Sequence, residues 1–139
     1  YDSINYMLTS KDLLAVFRRV NHALLPGGVF MFDMNTDYAL EMLWDDETTF
    51  RDNGDLAVIM KSTYDDYLRR VNLVLTAFER RGELYERIVE EHVEQAYPPE
   101  EVANLLTDAG FAVEASYDCF TFDPPGEETF RIMWVARKR

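Results

Sequence analysis

Glycine is missing from the place where it would say most. The six glycines are Gly27, Gly28, Gly54, Gly82, Gly110 and Gly126. None lies in a glycine-rich strand-to-helix loop, so these residues hold no phosphate cradle or dinucleotide fingerprint of that kind. A single cysteine, Cys119, excludes an internal disulfide and a multi-cysteine metal site. It suits a reducing compartment, so a cytoplasmic location is expected. Its alternating aromatic surroundings read as those of a small core residue. The only histidines are His22 and His92, and no His, Cys and carboxylate set has metal-ligand spacing. His22 reads as a surface residue favoured by a helix C-terminus. Basic residues are few, 14 Lys plus Arg against 26 Asp plus Glu for a formal charge of -12. That balance repels nucleic-acid phosphates and anionic membranes, and the short basic end Arg137-Lys138-Arg139 reads as a solvated terminus. No run approaches the roughly 18 apolar residues of a membrane span. There is no initiator Met and no visible secretory signal.

What is present is 139 residues, 47% hydrophobic and 14% aromatic, enough for one globular domain with a real core. The most informative stretch runs from Leu24-Leu25-Pro26-Gly27-Gly28 into Val29-Phe30-Met31-Phe32-Asp33-Met34-Asn35. Thr9-Ser10-Lys11-Asp12 caps a helix over Thr9–Leu25, with Leu13, Phe17, Val20 and Leu24 at helical spacing. Gly27 suits the left-handed position after it. The strand that follows ends in Asp33 and Asn35, and ligands of open α/β sheets bind just past strand carboxyl ends. The opening Tyr1-Asp2-Ser3-Ile4-Asn5-Tyr6 reads as the loop after an earlier strand, so the chain is expected to be the C-terminal part of a larger protein.

After Asn35 the pattern predicts a short helix over Thr36–Trp44, broken by Asp45, Asp46 and Glu47, and then a turn at Asn53-Gly54. Strands follow over Leu56–Tyr64, Val71–Phe78 and Leu84–Tyr97, an antiparallel meander because the connecting turns are short. Pro98-Pro99 opens a helix with Glu100 and Glu101 in its first turn, and Gly110 ends it. Phe111–Ala115 and Phe130–Ala136 are the last strands, with Pro124-Pro125-Gly126 turning between them. In the run Glu90-Glu91-His92-Val93-Glu94, Glu94 reads as part of a solvated strand face, and His92 equally as a salt-bridged strand residue or a proton acceptor.

This ordered set resembles the class I S-adenosylmethionine-dependent methyltransferases: Asp2–Tyr6 after a strand, the helix into Leu25-Pro26-Gly27-Gly28, the strand closing on Asp33-Met34-Asn35, and the terminal helix, strand and hairpin strand. Glu90-Glu91-His92-Val93-Glu94-Gln95-Ala96-Tyr97, on a meander inserted after the Asp33 strand, is similar to a bacterial small-molecule methyltransferase subgroup. The resemblance implies an α/β fold, the C-terminal part of a Rossmann-like sheet. Residues 1–50 and 98–139 form that sheet, 51–97 an inserted three-stranded meander on the substrate side, and the chain closes with an antiparallel hairpin strand. It implies S-adenosylmethionine as cofactor and a small-molecule methyl acceptor. Asp2, Ser3, Asn5 and Tyr6 then lie beside the cofactor's methionine end, with Asp2 and Ser3 as cofactor contacts. Asp33 and Asn35 lie beside the acceptor. His92 is the natural base and Asp33 its partner in catalysis. Asn5, Tyr6, Asn35, Tyr64 and Tyr97 are substrate contacts, Tyr64 and Tyr97 as orienting or cation-facing groups.

The family's glycine-rich loop and ribose-holding acid have no counterpart in these residues. The chain alone is therefore expected to bind the cofactor weakly or not at all, to be inactive, and to self-associate through exposed apolar surface. The readings to weigh against this one are a stand-alone binding or dimerisation module and a nucleotide-dependent oxidoreductase piece, which lacks its fingerprint here.

Overall fold

A computed structural model describes residues 2–139; Tyr1 lies outside the described residues. A 3-10 turn, Ser3–Tyr6, precedes α1, Ser10–Ala23. Thr9 caps α1 as its spacing predicts, its hydroxyl accepting from the Asp12 amide at 3.2 Å. Leu13 and Phe17 are fully buried on the inner face of α1. The chain then turns through Gly27, at φ +75°, and Gly28, where an added Cβ would lie 2.9 Å from the Leu25 carbonyl oxygen. Both positions therefore require glycine, the first for its backbone angle and the second for space.

Next come β1 (Val29–Asn35), α2 (Asp37–Trp44), β2 (Thr48–Asp52), β3 (Leu56–Asp65), β4 (Arg70–Arg81), β5 (Leu84–Gln95), α3 (Pro99–Asp108), β6 (Phe111–Asp118) and β7 (Arg131–Lys138). They make two sheets. One has the order β1-β7-β6, with β7 antiparallel to both neighbours; the other has the order β2-β3-β4-β5 and is antiparallel throughout. This is the α/β arrangement expected, a β1-β7-β6 sheet with helices on it and an antiparallel meander between α2 and α3.

The meander differs from its sequence reading in one strand. Asn53-Gly54 does turn a hairpin, and its first arm is β2, which pairs with β3. All five β2 residues are exposed, so no buried alternation marks it in the sequence. β5 ends at Gln95, and Ala96 and Tyr97 follow it as buried residues beyond the strand.

Helices α1 and α3 cover one face of the first sheet. Phe17 meets Phe32 at 5.3 Å between ring centres, and Phe30 and Phe32 stack at 4.6 Å. Trp134, Phe111, Val102 and Leu106 complete this core. The other face of β1 begins exposed, with Met31 at 60%, and becomes buried at Asp33 and Asn35. A smaller core of Leu40, Val71 and Ala96 joins α2 to the second sheet. Cys119 is half-buried rather than a core residue, because it lies just past the end of β6. No helix among the described residues is long and apolar enough to cross a membrane.

Candidate functional site

The polar end of β1 is where the two sheets meet. Asp33 and Asn35 are two residues apart, so they share the face opposite Phe32 and Met34. The 3-10 turn lies against this end and delivers Asn5, which is fully buried. The Asn5 side chain bonds to the free edge of β1: its Oδ1 accepts from the Asn35 amide at 2.9 Å. Its Nδ2 donates to the Asn35 carbonyl at 3.1 Å and to the Gln95 carbonyl at 3.0 Å. One amide group thus ties β1 to β5, strands of different sheets, and satisfies backbone groups that neither ladder reaches.

Around this tie the charges fall into pairs. Asp33 accepts from Arg131 Nη1 at 2.7 Å, and the same guanidinium lies 3.5 Å from Asp2. Burial works to raise the Asp33 pKa, but hydrogen bonds and positive charge, Arg131 included, overcome it and hold the carboxyl below its ordinary 3.8. Tyr6 OH is 2.8 Å from His92 Nδ1, with the rings edge to face, and His92 Nε2 is 3.2 Å from Glu90. An ionised carboxylate can only accept, so in the neutral ring Nε2 carries the proton and Nδ1 accepts from the phenol. Burial, and then the charges of Glu94, Asp2 and Glu90, raise the Tyr6 pKa.

Glu94 departs most from its sequence reading. It is not a solvated face residue: it is 7% exposed, and its Oε2 accepts from Asn35 Nδ2 at 3.1 Å. Glu90, His92 and Glu94 lie on one side of β5, and that side turns inward at its C-terminal end, where Glu94 meets Asn35 of β1. Burial, with Asp2 adding to it, pushes the Glu94 carboxyl up to about 7 against the opposing effects of Asn35, Arg131 and His92. A raised carboxyl pKa favours the fold while the group is protonated, fully below about pH 4.5, and this contribution is lost as pH rises through about 7. The displacement from 4.5 to about 7, at about 1.4 kcal/mol per pH unit, makes ionised Glu94 unfavourable by on the order of 3 kcal/mol. Glu94→Gln is therefore expected to be the more stable protein at pH 8, by up to that amount, with the difference shrinking toward pH 5. Urea denaturation of both proteins at the two pH values measures it, and an unchanged difference would mean the carboxyl ionises without cost.

The structure thus brings Asp2, Asn5, Tyr6, Asp33, Asn35 and His92 into one connected corner, and adds Glu94 and Arg131. Ser3 opens the 3-10 turn and is exposed. Tyr64 and Tyr97 are committed elsewhere. The Tyr64 hydroxyl donates to Asp37 at 2.5 Å beside the smaller core, and burial followed by Asp37 raises its pKa. Tyr97 lies in the main core, donates to the Met7 carbonyl, and is pushed up to about 12 by burial. No group of three or more possible metal ligands occurs among the described residues.

This strand order, with a polar corner at the end of β1, is that of the C-terminal portion of the class I S-adenosylmethionine-dependent methyltransferase fold, and the proteins this chain resembles are named as methyltransferases. "Putative methyltransferase YqeM" of Bacillus subtilis (strain 168) is 28% identical over 137 residues, which is 99% of this chain and 56% of that protein. The crystal structure of a S-adenosylmethionine-dependent methyltransferase from Clostridium acetobutylicum ATCC 824 matches with a TM-score of 0.87 and 30% identity, over 99% of this chain and 55% of that one. The CcbJ methyltransferase of Streptomyces caelestis shares the fold at a TM-score of 0.77 with 12% identity, over 100% of this chain and 58% of that one. No protein-family model matches. The chain spans about half the length of these relatives.

Proposed function

We propose that this chain is the acceptor-side portion of an S-adenosylmethionine-dependent methyltransferase acting on a small molecule. The observation that carries the reading is the corner at the carboxyl end of β1, in a chain that matches a methyltransferase structure at a TM-score of 0.87. When bound, the cofactor supplies a methyl group on a positively charged sulfur, open to in-line attack. The carboxylates of Asp2 and Glu94 and the ring of Tyr6 suit that methionine end. The described glycines with positive φ, Gly27, Gly54, Gly82 and Gly110, all follow helices or turn hairpins, and none forms a cradle for the adenosine end.

In this reading Asp33, held by Arg131, orients the acceptor, while Asn35 and Asn5 keep the end of β1 in place. His92, held between Tyr6 and Glu90, moves a proton, and Ser3 serves at the margin of the cofactor, while Tyr64 and Tyr97 hold the surrounding structure. Alignment and exclusion of water are the protein's contribution to a displacement of this kind. Calorimetric titration tests the division of labour. A protein of the relatives' full length is expected to bind S-adenosylmethionine at micromolar level, about -8 kcal/mol, and the 139-residue chain weakly or not at all. Tight binding by the short chain would overturn the division, and no binding by the long protein would overturn the methyltransferase reading.

A further inference from the structure

Asn5, Asp33, Arg131 and His92 have partners inside the protein; Glu94 has an oxygen to spare. It is 7% exposed, and Oε2 is taken by Asn35. Oε1 has no hydrogen bond among the described residues, yet no fully enclosed side-chain polar atom there lacks a partner. Oε1 is therefore not fully enclosed, and it lies beside the Asn35 end of β1.

No Lys, Arg or His nitrogen among the described residues comes within ion-pair distance of Glu94. The two basic side chains that act on it are already engaged, Arg131 with Asp33 and Asp2 and His92 with Tyr6 and Glu90. The other groups that act on it are anionic or neutral: Asp2 and Tyr6 from the N-terminal segment and Asn35 from β1. A carboxylate buried without a counter-ion is unfavourable, and one amide hydrogen bond offsets only part of that. A perturbed carboxyl in such a setting points to function rather than to stability.

We propose that Glu94 is the recognition group for a small organic cation, and that the corner at the end of β1 selects its ligand by positive charge. The missing counter-ion is then the ligand itself. Two sources share this chemistry, the sulfonium of the methyl donor and the ammonium of an amine acceptor. The proposal rests on the methyltransferase reading only for the names of these sources.

The test uses the full-length protein with Glu94 followed through its 13C carboxyl resonance across pH 5–9. The carboxyl is expected to titrate near neutrality, and a bound cation lowers the midpoint. A lower midpoint with S-adenosylmethionine than with S-adenosylhomocysteine, which carries the same α-ammonium but an uncharged sulfur, assigns the sulfonium. A lower midpoint on adding propylammonium chloride, and not propanol, to the S-adenosylhomocysteine complex assigns the ammonium. Midpoints that respond to none of these overturn the proposal. For the sulfonium, Glu94→Gln should weaken S-adenosylmethionine by about tenfold at pH 8, leave S-adenosylhomocysteine unchanged, and differ little from the parent at pH 6. Equal weakening of both would make Glu94 merely structural. His92→Gln separates the neighbouring histidine, since the midpoint shift must survive it. If the full-length protein binds neither sulfur compound, the methyltransferase reading fails while the propylammonium arm still decides whether Glu94 recognises a cation.

Discussion

Asn5→Ala is expected to lower the unfolding free energy by about 3–5 kcal/mol. The substitution removes three hydrogen bonds at once and strands the Asn35 amide, the Asn35 carbonyl and the Gln95 carbonyl in a buried place. Each such group left unsatisfied costs about 1–3 kcal/mol, and water entering the space returns some of it. The expected loss is a large fraction of the 5–15 kcal/mol that a domain typically has. Urea denaturation measures the loss. Asn5→Asp keeps the acceptor for the Asn35 amide but sets a buried carboxylate oxygen against the Asn35 and Gln95 carbonyl oxygens, so at neutral pH it should destabilise at least as much as alanine. A loss below about 1 kcal/mol for alanine would show that the two sheets are not held together by this amide.

Asp33→Ala in the full-length protein should reduce turnover by about 100-fold or more, the usual effect of removing a positioned polar or proton-handling group. It also leaves Arg131, whose side chain is 23% exposed, without its closest carboxylate, so the end of β7 loses its charge balance next to the reacting groups. Glu91→Ala is the control: Glu91 is exposed on the opposite side of β5, where a charge change should alter stability by less than about 0.5 kcal/mol. Release of S-adenosylhomocysteine is the readout, with circular dichroism confirming that both variants fold. Equal turnover in the two would remove Asp33 from the site.

Much of the fold was legible because its signals are local. Thr9 and Thr36 cap helices whose first turns they precede, Gly110 adopts a left-handed angle just past α3, and Gly27 adopts one in the turn between α1 and β1. The alternation of Phe30, Phe32 and Met34 against Met31 and Asp33 marks the two faces of β1 directly. β2 was missed because a fully exposed strand carries no such pattern, and it exists only through pairing with β3.

The sequence by itself determined which segments become helices and strands, where they turn, and that Asp33 and Asn35 end a strand on its polar face. Caps, turn glycines and hydrophobic period act over a few residues, so the order of amino acids suffices. Only the tertiary structure decided which polar residues meet. Asn5 reaches Gln95 across 90 positions and Arg131 reaches Asp33 across 98. The charged side of β5 is solvent-facing by its composition and becomes an interior wall at Glu94 because β1 packs against its end. Burial, and with it the unusual pKa of that carboxyl, belongs to the assembled sheets: the dielectric around a side chain is set by whatever packs over it, not by its neighbours in sequence.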